Sequence, residues 1–107
     1  MPTADERYDE AIALQQGGNL SEAVTRLEQL AAEAPDHALT HAALAAFYTK
    51  LGRHDEAVEQ GRLVCQLDPD DPFSFIAMSV VCQKAGKVGD AEMAMQQAME
   101  RQWASRQ

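Results

Sequence analysis

Apolar residues recur along this chain three and four positions apart: Tyr8 and Ile12, then Leu39, Ala42 and Ala46, then Phe73, Ile76 and Val80, then Met95, Ala98 and Met99. That spacing places each set on one face of a helix. The residues between them are mostly Ala, Leu, Gln, Glu and Met, the strong helix formers, with almost no β-branched runs. Six helices are expected, at roughly 4–16, 20–34, 37–51, 54–67, 72–85 and 88–104. Several starts are marked by capping residues. Thr3 with Glu6 has capping-box spacing, Asn19 with Glu22 approximates it, and Asp71 stands before a first-turn Pro72.

Sliding the chain against itself by 34 residues brings Gly18, Gly52 and Gly86 into one column and Ala23, Ala57 and Ala91 into a second. Pro35 and Pro69 make a third, in which Trp103 takes the last place. Gly-Asn-Leu-Ser-Glu-Ala-Val at 18–24 answers Gly-Arg-His-Asp-Glu-Ala-Val at 52–58 and Gly-Lys-Val-Gly-Asp-Ala-Glu at 86–92. Each column has a physical reason. Glycine ends the first helix of a pair, where a left-handed conformation costs it least. Alanine marks the closest approach of two helices, which a larger side chain would force apart. Proline stops the second helix and sets the angle at which the next pair stacks.

A 34-residue period with these three columns resembles the tetratricopeptide repeat family over residues 4–105. The resemblance implies an all-α, right-handed solenoid of three tandem helical hairpins, at about 4–37, 38–71 and 72–105, in a single domain spanning 1–107. The chain departs from the family pattern where a large residue is expected early in each first helix: Arg7, His41 and Phe75 stand there. Gly89 also weakens the start of the last helix.

In this family the first helices line a concave groove that holds a protein or peptide. The corresponding residues are Tyr8, Ile12, Leu39, Ala42, Ala46, Thr49, Phe73, Ile76, Val80 and Gln83, with Lys50 and Lys84 at the far edge. That face reads apolar, as either an exposed interaction strip or ordinary core. Exposed, it suits an extended peptide or amphipathic helix with apolar anchors. Family members that clamp a terminal carboxylate use Lys, Asn and Arg at places that here carry Tyr8, Ile12, Ala43, Phe73 and Ala77, so that subtype is not expected.

A second surface is the outer side of the last helix, which stops near Gln107 without the polar capping helix a solenoid end normally carries. Met95, Met99 and Trp103, helped by Met93, form a stripe there suited to self-association. In the alternative reading, Met95 and Ala98 pack inward.

Charge narrows the function classes. With 17 acids against 9 Lys and Arg, the net charge of −8 argues against nucleic acid and against an anionic membrane surface. The balance runs from −6 over residues 1–37, through −3 over 38–71, to +1 over 72–107. A solvated acidic face explains this gradient more simply than head-to-tail pairing of copies. The polar, acidic start and the lack of a long apolar run point to a soluble cytoplasmic protein.

No chemistry stands out. Cys65 and Cys82 read as buried free thiols. His37 and His41, four apart, lack a third ligand and read as surface residues. The carboxylates are spread over helix surfaces, and Gly17-Gly18 lacks the pattern of a phosphate loop. No enzyme, metal or cofactor is expected. The function expected is a protein-interaction adaptor with an apolar groove. The alternatives are a self-assembling structural module and, as a minor option, a chaperone-like holder resembling bacterial secretion chaperones.

Overall fold

The computed structural model describes residues 1–106. They form six helices: α1 (Ala4–Gln16), α2 (Leu20–Glu33), α3 (Ala38–Lys50), α4 (His54–Leu67), α5 (Pro72–Lys84) and α6 (Val88–Ser105). The pairs α1–α2, α3–α4 and α5–α6 are hairpins. They stack in chain order through α2 on α3 and α4 on α5, and α3 also touches α5. The result is the all-α solenoid expected from the period.

The helix starts follow the capping residues. The Thr3 hydroxyl accepts from the Glu6 N–H at 3.1 Å while the Glu6 carboxylate accepts from the Thr3 N–H at 3.3 Å, a complete capping box. Asn19 caps α2 through the Glu22 N–H at 3.2 Å, and Asp71 caps α5 through the Phe73 N–H at 3.0 Å. At His37, Arg53 and Lys87 no side chain makes the cap.

All three hairpins turn alike. Gly18, Gly52 and Gly86 have φ of +91°, +76° and +78°. The N–H after each glycine, from Asn19, Arg53 and Lys87, donates 2.8 Å to the carbonyls of Leu14, Tyr48 and Cys82. This closes each first helix in a Schellman motif. Around Gly52 there is open space, so only backbone strain opposes a side chain there. Gly52→Ala is expected to cost roughly 1–2 kcal/mol, read as a lower urea midpoint at unchanged slope.

Ala23, Ala57 and Ala91 are each 3% exposed or less, and they lie in the central cluster with Leu27, Leu44, Phe47 and Tyr48. The repeated large-residue position is filled by polar ties in two of the three hairpins. Arg7 donates 2.8 Å to Glu33 across the first hairpin, and the ion pair holds the Glu33 carboxyl below its usual range. His41, expected at the surface, is buried. Its two ring nitrogens lie 2.7 Å from Gln60 Oε1 and from the Pro35 carbonyl; a neutral ring donates to one of them, and the Gln60 amide, turned to present its NH2, can serve the other nitrogen. Phe75 is buried beneath the Arg101 guanidinium at 4.0 Å.

Between the first two hairpins, the Tyr48 hydroxyl donates 2.6 Å to Glu28 under the stacked Arg53 guanidinium, which also pairs with Glu56 at 2.6 Å. Burial and the Glu28 contact hold the Tyr48 phenol protonated, far above its ordinary range. Cys82 is fully buried and Cys65 half-buried, donating to the Ser74 carbonyl at 3.4 Å. Burial pushes both thiols up, which makes them poor nucleophiles.

Candidate functional site

The candidate groove is built from α1, α3 and α5. Because α3 and α5 are the first helices of consecutive hairpins closed by the same turn, their residues 34 apart stand in equivalent places. Leu39 and Phe73 form one such pair, at 53% and 70% exposure. With Ala42, Val64, Ser74 and Ala77 they line a depression of about 220 Å³, with Asp68 and Asp71 at its rim. Such an arrangement can seat an apolar side chain between two flanking anchors.

The strip is not uniform. Ala46 and Gln83 are exposed and Ala42, Thr49 and Ile76 half-buried, while Tyr8 and Ile12 are half-buried and pack against the core cluster. In the first hairpin the strip is therefore less open than at Leu39 and Phe73. Burial, and then the neighbouring Asp9, push the Tyr8 phenol up. His37 closes this end by bonding Asp5 and Thr40, each at 2.7 Å. Lys50 and Lys84, in the last turns of α3 and α5, are exposed at the opposite edge.

Val80, 47% exposed, belongs to another depression, of about 270 Å³. Ser79 and Gln83 of α5 line it together with Val88, Ala91, Glu92 and Met95 of α6. Val80 thus opens onto the last helix, in a depression separate from that of Leu39 and Phe73. Of the stripe on α6, Met95, Met99 and Trp103 are exposed at 39%, 61% and 66%, while Ala98 is buried. Met93 lies elsewhere, in a depression with Val58, Met78 and Ala94 between α4 and α6.

Sequence reasoning missed Val64 and noted Ala77 only as a place where a carboxylate clamp is lacking. Both follow from the 34-residue register once the stacking order is known. A wider dent of about 560 Å³ on the first hairpin is lined by Glu10, Ala13, Leu14, Gly17, Asn19 and Arg26, away from Leu39 and Phe73. Among the described residues no group of three or more His, Cys, Asp and Glu is placed to hold a metal ion.

The tetratricopeptide repeat family model matches residues 8–72, more than half of the chain. The chain belongs to the tetratricopeptide repeat family. The fold is that of solved tetratricopeptide proteins at low identity. A crystal structure of MamA superposes with a TM-score of 0.87 at 18% identity, covering 97% of this chain and 61% of that one. The second tetratricopeptide domain of Spaghetti (RPAP3), bound to the HSP90 peptide SRMEEVD, gives 0.80 at 20%, covering 90% and 89%. The secretion translocator chaperone SycD of Yersinia enterocolitica, in an alternative dimer, gives 0.82 at 19%, covering 92% and 75%. The chain spans less than two thirds of MamA's own length. A comparison with curated protein sequences gives no match.

Proposed function

We propose that this tetratricopeptide chain is a non-enzymatic protein-interaction module that holds an apolar peptide or helix of a partner in its concave groove. The observation that carries this reading is the pair Leu39 and Phe73, two large apolar side chains more than half exposed over one depression. Leaving them in water gives up part of the roughly 1.5–3 kcal/mol that full burial of such a side chain supplies. A partner's apolar anchor recovers it.

The Spaghetti domain holds a peptide ending in acidic residues. In this chain the places of a carboxylate clamp carry Tyr8, Ile12, Ala43, Phe73 and Ala77, so contact is expected to be apolar first, with charge at the rim setting orientation. The reading places one repeat domain over 1–107 in the cytoplasm. No described helix is long and apolar enough to cross a membrane.

The test is affinity capture with the wild type and with Leu39→Glu plus Phe73→Glu. Capture of the wild type's partners is expected to be lost while the thermal unfolding curve changes little, since exposed substitutions seldom shift stability by more than about 0.5 kcal/mol. Unfolding of the double variant would show these residues to be core. Retained capture would move the binding surface elsewhere. A second reading, self-assembly through α6, draws on the exposure of Met95, Met99 and Trp103. The minor reading, a chaperone-like holder of an apolar segment, uses the same groove.

A further inference from the structure

The outer face of α5–α6 is the surface that the chain itself covers twice elsewhere. In the second hairpin, α5 closes over Gly61, Val64 and Cys65. A Cβ on Gly61 would stand 3.0 Å from Met78 and 3.2 Å from Val81, the buried Val64 lines one depression with Phe73, Ser74 and Ala77, and the Cys65 thiol donates to the Ser74 carbonyl. In the first hairpin the equivalent residues are Leu27, Leu30 and Ala31, of which Leu27 and Leu30 are buried and Ala31 half-buried. Thirty-four residues on, they are Met95, Ala98 and Met99. Here both methionines face solvent.

The occupant of this face is constrained by the other surfaces of the molecule. The faces that α3 and α5 turn to a preceding hairpin are Thr40, Ala43, Leu44 and Phe47, and Ser74, Ala77, Met78 and Val81, small or apolar and mostly buried. The same positions on α1 are Glu6, Asp9, Glu10 and Ala13, all exposed. An acidic face of this kind does not complement methionines, so head-to-tail stacking of copies is disfavoured.

Nor does the open face repeat the pattern that a following hairpin covers. The buried Val24 and Val58 are followed in their column by Glu92. With Trp103 in the proline slot, α6 runs for 18 residues where α2 and α4 stop at 14. The extra turn extends a stripe of Val88, Glu92, Met95 and Met99 to Gln102, with Arg106 at the C-cap, spaced four and three in alternation and with Trp103 beside it. That is the heptad spacing of helices that pair along their length.

We propose that two copies of the chain pair tail to tail through this stripe, α6 against α6, antiparallel across a two-fold axis near Met95 and Met99. In that arrangement Glu92 of one copy faces the turn of the other that carries Gln102 and Arg106. The antiparallel pairing is thus complementary in charge as well as apolar at its centre. The last hairpin, at only +1, brings little repulsion to the contact, while the first hairpins, at −6 each, lie at opposite ends. The contact is isologous, which closes the assembly at two copies. It also joins two grooves in one particle and so favours partners that present two segments.

Sedimentation and light scattering of the wild type are expected to give twice the chain mass of 11.7 kDa, with a plateau as concentration rises. The emission of Trp103, the sole tryptophan, should shift to the blue over the same range. Met95→Glu plus Met99→Glu is expected to return the mass to one chain with the helical signal intact. Met99→Glu alone, at an open position, serves if the pair disturbs folding. Glu92→Arg and Arg106→Glu are each expected to weaken pairing several-fold, and mixing the two variants should restore it. Leu39→Glu plus Phe73→Glu should leave the dimer intact, which separates failure of this proposal from failure of the groove reading. A single-chain mass at millimolar concentration would overturn the proposal. So would a mass that climbs without a plateau, or a dimer that survives the methionine substitutions.

Discussion

Leu27→Ala is expected to lower the unfolding free energy by about 2–5 kcal/mol, the cost of deleting a buried leucine and leaving a cavity. Leu27 is fully buried on α2, in one cluster with Leu44, Phe47 and Tyr48 of α3, so its side chain joins the first hairpin to the second. A chain of this size has a total stability of roughly 5–15 kcal/mol, so a large fraction would be lost. The melting temperature should fall by about 4 °C or more for each kcal/mol. Urea unfolding followed by the helical circular dichroism signal measures this directly. Because each hairpin touches only its neighbours, the first hairpin is also expected to exchange its amide protons faster than the other two. A loss below about 1 kcal/mol would mean that Leu27 is not the joint between the hairpins.

Ala57→Leu should cost about 3 kcal/mol, at the upper end of what overpacking produces. Ala57 is fully buried where α4 approaches α3, with Ala45 at 3% exposure and Leu44 at 1% around it in the same cluster. Three added carbons have no void to enter, so the helices must separate and neighbouring contacts loosen. Ala46→Leu, on the exposed side of α3, is the control and should change stability by no more than about 0.5 kcal/mol. Differential scanning calorimetry on the two variants gives the comparison. Equal behaviour of the two would contradict the close approach.

How far these residues were legible in the chain depends on what each one answers to. The helix spans and the turns were legible because caps, left-handed glycines and helix-stopping prolines act within a few residues. Thr3, Asn19 and Asp71 cap as their spacing predicts, and each span lies within one residue of expectation at either end. The buried alanine column was legible because a small residue repeated at one period has few other uses. His41 was not legible: its burial depends on Gln60 and the Pro35 carbonyl, which reach it only once α3, α4 and the preceding turn have packed. Gly61 is similar. Its column holds Leu27 and Met95, and nothing in the chain explains a glycine until Met78 of α5 is seen pressing on that spot.

The groove divides along the same line. The residues proposed for it were chosen by helical spacing and the family register. That Tyr8 and Ile12 pack toward the core, that Leu39 and Phe73 share one depression, and that Val80 opens onto Met95 depend on how consecutive hairpins are rotated. By itself the sequence determined six helices, three hairpins and the family, because those rest on local chemistry repeated every 34 residues. Only the tertiary structure decided which copies of a repeated position are covered. Leu27 and Gly61 have a helix laid over them and Met95 has none, a difference in neighbours and not in period.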